Sequence, residues 1–130
     1  MKDLGRIFKG LADGNRLRIL NLLLHGELCV CDIQHVLASP QPNVSRHLTY
    51  LKNSGLVLDR REGFRVYYRL ADVCQRQARP LFDFLGKSWK DDEHMRADIV
   101  TLKRAIRDGH CTASVFVPYS ALKANAHAGH

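Results

Sequence analysis

Apolar residues recur along the first part of the chain at helical spacing. Leu4, Ile7, Phe8 and Leu11 fall at i, i+3, i+4 and i+7, which predicts a helix with one apolar stripe, and Asp3 is placed to cap it. Ala12-Asp13-Gly14-Asn15 breaks that pattern. Leu17, Leu20, Leu23 and Leu24 mark a second helix, which His25-Gly26 ends. A short third helix is expected over Val30–Leu37, with Cys31-Asp32 near its start, followed by a turn at Ala38-Ser39-Pro40. Pro42 suits the first turn of a fourth helix, where its missing N–H costs little. That helix turns Val44, Leu48 and Leu51 inward and leaves Gln41, Asn43, Ser45, Arg46, His47 and Tyr50 mostly outside, until Asn53-Ser54-Gly55 stops it.

The period then changes from helical to alternating. Arg65, Tyr67 and Arg69 fall on one face of a strand, and Val66, Tyr68 and Leu70 on the other. Residues 56–59 form the expected first strand, with Arg61-Glu62-Gly63-Phe64 as the turn of a hairpin. After Asp72 the pattern is helical again. Pro80 splits this stretch or starts its main piece, and Leu81, Phe82, Leu85, Trp89, Ile99, Leu102 and Ile106 predict one long amphipathic helix to about Arg107, stopped by Gly109. The last twenty residues show no sustained period. The predicted order is ααααββα, a mainly α winged helix-turn-helix with a small β-hairpin. Residues 1–107 form the DNA-binding and dimerisation domain, and residues 108–130 a flexible tail.

Composition sharpens this picture. At 130 residues, the chain has the size of one domain, and its 45% hydrophobic fraction predicts a packed core and not disorder. The formal charge is +7, which favours an anionic partner. Residues 41–70 carry six Lys/Arg against two Asp/Glu, a net +4, whereas residues 1–40 carry five against four. The excess therefore sits on the helix-plus-hairpin segment, where phosphate contacts need it. The longest apolar run, from Ile19 to Leu24, is interrupted by Asn21, and no signal-peptide pattern is visible. A soluble cytoplasmic protein is expected, in which thiols serve metal, redox or packing roles before structural disulfides.

A helix that reads the major groove needs short or forked polar groups on its outer face. Gln41, Asn43, Ser45, Arg46 and His47 supply them. The hairpin arginines Arg61, Arg65 and Arg69, with Tyr67, suit phosphate or minor-groove contact. A solvated polar face alone would be weak evidence, but combined with the turn spacing, the wing and the local charge it predicts binding to double-stranded operator DNA. His47 has a second reading, as a packed or capping histidine. The first and last helices carry apolar stripes too wide for one small core, so a homodimer paired through them is expected, meeting a two-fold operator.

Cys29 and Cys31 stand beside this motif. On a regular helix, residues i and i+2 point to nearly opposite sides, so the pair meets on one ion only if it straddles the helix start or the helix distorts. A helix N-terminus also favours thiolate. Two small buried hydrophobes are the bland alternative. Cys-Val-Cys at the mouth of a recognition motif favours metal or metalloid binding.

The segments Glu27-Leu28-Cys29-Val30-Cys31-Asp32-Ile33, Gln41-Pro42-Asn43-Val44-Ser45-Arg46-His47-Leu48, Gly55-Leu56-Val57, Arg60-Arg61-Glu62-Gly63 and Tyr68-Arg69-Leu70 resemble the arsenical-resistance repressors of the ArsR/SmtB family. The resemblance covers residues 4 to about 107. It implies a dimeric repressor of its own operon, with no permanent cofactor. Trivalent arsenic or antimony would bind the cysteine pair, distort the helix and release DNA. The genes controlled would encode efflux or detoxification proteins. One departure concerns the third cysteine of the arsenic-binding motif, whose position here is Gln34. Cys111 is the preferred replacement, from the same or the partner chain, and Cys74 the second choice; alternatively two thiols suffice for a methylated arsenical. The family's zinc site on the last helix is represented only by Asp92 and His94. The position of its second half is Ala105, and no zinc site is expected. His127 and His130 read as tail residues, not ligands.

Two other readings compete. Cys29 or Cys31 paired with Cys74 or Cys111 would make a thiol-redox or polysulfide repressor of the same fold, and soft divalent ions such as cadmium or lead are close alternatives as signal. A Cys-x-Cys metallochaperone or thiol oxidoreductase is a different class. The chain has no Cys-x-x-Cys within a βαβ pattern, no hydrolytic constellation and no phosphate-binding glycine loop, and neither role explains the basic wing.

Overall fold

The computed structural model describes residues 2–109. Cys111, His127, His130 and all of the expected 108–130 tail beyond residue 109 lie outside them. In chain order the elements are α1 (Lys2–Leu11), α2 (Gly14–Leu23), β1 (Leu28–Cys29), α3 (Val30–Leu37), α4 (Gln41–Asn53), β2 (Val57–Glu62), β3 (Arg65–Leu70), α5 (Asp72–Gln75), α6 (Arg79–Lys90) and α7 (Glu93–Arg107). The winged helix-turn-helix order holds through β3. Among the described residues, no helix is long and apolar enough to cross a membrane.

Asp13 starts α2 by accepting the N–H groups of Asn15 and Arg16 at 2.8 and 3.1 Å. Ile19, Leu20, Leu22 and Leu23 then bury in the core, and so does Asn21, whose amide donates to the Met95 carbonyl at 3.1 Å. Helix α2 is thus surrounded, not one-faced. Gly10 of α1 sits so close to the Leu56 side chain that an added Cβ would lie 2.5 Å from it. Helix α4 buries Val44, Leu48 and Leu51 completely, as its i, i+4, i+7 spacing predicts.

Three features differ from the sequence-based expectation. A two-residue strand, β1, joins the hairpin, so the sheet is three-stranded and antiparallel in the order β1-β3-β2. Strand β2 runs on to Glu62, which pairs with Arg65, leaving Gly63-Phe64 as a two-residue loop. Gly63 has φ 62° and Phe64 has no positive φ. This is the type II′ pattern, which needs glycine first. The long last helix is two helices. The chain breaks at Asp91-Asp92, and the Asp92 carboxylate accepts the Met95 N–H at 3.0 Å to start α7.

The turn between α3 and α4 holds Ala38 in the left-handed region, φ 51° and ψ 43°. Its N–H bonds the carbonyls of Gln34 and His35 and so closes α3. Glycine adopts this conformation without the steric penalty of a Cβ. Ala38→Gly is therefore expected to stabilise the fold by about 0.5–1 kcal/mol, read as a raised midpoint in urea denaturation.

Candidate nucleic-acid interface and thiol site

The thiol pair straddles the start of α3. Cys29 ends β1 in extended backbone, φ −72° and ψ 147°, and is the N-cap residue, while Cys31 lies one residue inside the helix. This kink in direction brings together sulfurs that a regular helix would separate, and they stand 3.1 Å apart. Two thiolates bound to one ion at about 2.3 Å each lie roughly 3.3 Å apart at a right angle and about 3.8 Å apart at the tetrahedral angle. Cys29 is buried, and Cys31 is disulfide-bonded in this structure.

Cys74 does not join them. It is fully buried, its thiol donates to the Leu56 carbonyl at 3.4 Å, and burial pushes it up to about 12. A thiol that is both buried and bonded in the core is inert, so Cys74 is set aside as a third ligand. Gln34, by contrast, lines the same cleft as the pair.

That cleft, about 550 Å³, lies between the thiols, the start of α4 and the wing. Gln41 and Ser45 of α4 line it, as do Phe64 and Arg65 of the wing. The thiol pair, the first turns of α4 and the wing therefore share one cleft. Arg65 is held above its ordinary value first by a hydrogen bond to the Tyr67 side chain, with Cys29 and Asp32 adding negative potential.

The outer face of α4 carries exposed Gln41 and Arg46 and half-buried Asn43 and Ser45. Arg46 donates to the Asn43 side chain. His47 turns instead towards the start of α2, with Nδ1 3.9 Å from Asp13. Burial pushes the Asp13 carboxyl up. The backbone N–H of Arg16, the charge of His47 and the N–H of Asn15 outweigh it, and the group lies below its ordinary value. His47 is thus a junction residue more than a groove-facing one.

On the wing, Arg61 and Arg65 are exposed. Arg69 is turned back on its own chain, 3.5 Å from Asp72. Tyr67 is 5% exposed, against the expectation of an outward position. The reason is β1, which makes β3 the central strand. Tyr67 pairs with Cys29 on one side and Arg60 on the other, and the Arg60 guanidinium covers its ring at 4.4 Å.

Arg60 is the residue that sequence reasoning missed. It bonds Glu27 at 2.7–2.8 Å and Glu62 at 2.7 Å, the Glu27 bond raising it most. It ties the wing to the segment leading into the thiols. Phe64 was missed as well; it stands fully exposed at the wing tip. An aromatic in the hairpin turn between Arg61 and Arg65 was the available signal.

Comparison with known proteins gives three findings. Residues 13–58 match the family profile described as bacterial regulatory protein, arsR family. The chain is 43% identical over 101 residues to the arsenical resistance operon repressor of Escherichia coli K12, covering 76% of this chain and 84% of that protein. It is 45% identical over 76 residues to a cadmium resistance transcriptional regulatory protein, the CadC homolog of Staphylococcus aureus, covering 58% of this chain and 63% of that one. Its fold matches the homodimeric winged helix-turn-helix DNA-binding domain Mb0332 of Mycobacterium bovis, a possible ArsR-family regulator, with a TM-score of 0.57, 37% identity and coverage of 71% and 85%.

Proposed function

Because this chain belongs to the arsR family of bacterial regulatory proteins, and is a DNA-binding transcriptional repressor and not an enzyme, we propose that trivalent arsenic or antimony is the signal that lifts it from its operator. Cys29 and Cys31 are the thiolates that take the metalloid. Cys111 is the proposed third thiolate for inorganic arsenite. The repressor acts in the cytoplasm as a homodimer paired through its first and last helices. Leu4 and Phe8 of α1, Phe84 of α6 and Val100 of α7 are exposed apolar groups that such pairing would cover. Gln41, Asn43, Ser45 and Arg46 read the major groove, and Arg61 and Arg65 hold phosphate.

The observation that carries this reading is the 3.1 Å convergence of the two sulfurs at the first turn of α3. Helix α3 packs directly on α4. An ion that pulls both sulfurs into its own geometry strains that turn. The strain passes to α4 and, through the shared cleft, to the wing.

A second reading rests on Cys31, which is disulfide-bonded here. A thiol-redox repressor would use that bond as its signal. Fluorescence anisotropy on the chain's own promoter DNA separates the two. Release by arsenite in the presence of a phosphine reductant supports metalloid sensing. Release by oxidant or sulfide alone, with arsenite silent, replaces the signal while keeping the repressor.

A further inference from the structure

We propose that Phe64, at the tip of the β2–β3 hairpin, is a wedge that enters the minor groove of the operator and unstacks one base step in each half-site. The inference rests on the reading of the wing as a DNA contact and is independent of which inducer lifts the repressor. Glu62 pairs with Arg65 as the last rung of the ladder, so the loop beyond it is Gly63-Phe64. Glycine has no side chain, and the tip therefore meets its partner with the phenyl ring. Gly63, at φ 62°, satisfies the turn by itself, and the backbone does not call for an aromatic at the second position. Single exposed apolar side chains are common and by themselves mean little. Among the described residues, however, Leu4, Phe8, Phe84 and Val100 lie on helices that dimer pairing would cover, and Tyr50 lies under the Arg16 guanidinium at 4.0 Å. Leu58 is set back in β2, opposite Arg69. Phe64 alone of this group is fully exposed.

The charges around the ring select the partner. Arg61 and Arg65 flank the loop and are exposed. Glu62, the acid next to the loop, is held by Arg60 at 2.7 Å, which offsets its repulsion of phosphate. An apolar ring between cations fits a slot that is anionic at its rims and apolar within. The minor groove is such a slot, with phosphates along both walls and stacked bases at its floor. It is about 6 Å wide, too narrow for a helix but open to a two-residue loop. One ring is too small an anchor for a protein partner, whose interfaces bury about 800 Å² a side. Inserted Phe and Leu side chains pry base steps apart and kink the duplex towards the major groove. The cost is least at the flexible TA and CA/TG steps. Phe64 thus carries a preference for a flexible step at that point of the operator, without a hydrogen bond to any base.

The test uses the full chain and its own promoter DNA, with 2-aminopurine substituted in turn for each adenine of the operator. This base brightens when it loses its stacking neighbour. Brightening is expected at one step per half-site, lost in Phe64→Ala and kept in Phe64→Leu, which is still an apolar wedge. Phe64→Ala should weaken operator binding by about tenfold. The slope of log affinity against log salt should not change in that variant, because no phosphate contact is lost. Arg61→Ala, by contrast, should lower the slope by about one. Replacing the brightened step with a stiff one should weaken the unaltered protein and leave Phe64→Ala indifferent. Absence of any brightened position, or brightening that survives Phe64→Ala, overturns the wedge, while a lowered slope in Arg61→Ala keeps the wing on the DNA. An unchanged slope in Arg61→Ala together with no brightening takes the wing off the DNA, and this inference with it.

Discussion

Replacing Cys29 with serine should leave the repressor on its operator at arsenite concentrations that strip the unaltered protein from it. Losing one of two converging thiolates turns a chelated ligand into a singly held one, and the arsenite needed for release should rise by about a hundredfold or more. The fold should tolerate the change. Cys29 is the N-cap residue of α3 in extended backbone, and its side chain makes no capping hydrogen bond. Serine is among the preferred residues there, because its oxygen accepts an orphan N–H of the first turn. The cost of a buried hydroxyl, about 1–2 kcal/mol, is therefore offset by a cap worth about the same. Operator affinity without arsenite should stay within about threefold, since Cys29 is buried and the change in fold stability is small. Anisotropy titrations with and without arsenite, beside a thermal melt, read both effects. Unchanged release by arsenite in the serine variant would place the metalloid site elsewhere in the chain.

The elements that could be read from the sequence are those whose signal is local. The α4 stripe, the short α3 between its bounds and the alternation of β3 all lie within one or two turns of chain. Strand β1 has only two residues and no period of its own; it exists because Leu28 and Cys29 pair with Tyr68 and Tyr67, some forty residues away. Missing it reversed the reading of Tyr67, since a strand with neighbours on both sides lacks a simple outer face. The approach of His47 to Asp13 was out of reach for a related reason: Asp13 stands at the start of another helix. The break between α6 and α7 is hidden because the apolar stripe resumes on the far side, and only the capping carboxylate of Asp92 marks it. The thiol geometry was legible as a choice between straddling the helix start and distortion. The backbone at Cys29 settles that choice in favour of straddling, whereas the role of Arg60 depended on sheet register and was out of reach.

The second large effect concerns the support behind the thiol helix. Helix α7 packs against both α2 and α3. It is fastened to α2 by Arg18, whose Nε and Nη2 donate to the two oxygens of Asp98 at 2.8 and 3.0 Å. That hydrogen bond raises Arg18 above its ordinary value, against the opposing effect of burial. Asp98 is nearly closed to water and Arg18 about one-fifth open, with side-chain exposures of 7% and 20%. Breaking a fully buried pair by removing one partner costs about 3–5 kcal/mol, because the other charge stays desolvated. Arg18 can turn part of its guanidinium to solvent, so Asp98→Ala is expected to cost about 2–3 kcal/mol. His94, 3.9 Å from the same carboxylate but exposed, adds little. The double variant Arg18→Met/Asp98→Ala removes both charges and refills part of the volume. It should recover at least half of the loss, which urea denaturation of the three proteins measures. If the double variant is no more stable than the single one, the link acts through shape and not through charge. Because α3 leans on α7, the single variant should also need less arsenite for operator release. A helix with a loosened support yields to the same pull on its sulfurs at lower occupancy.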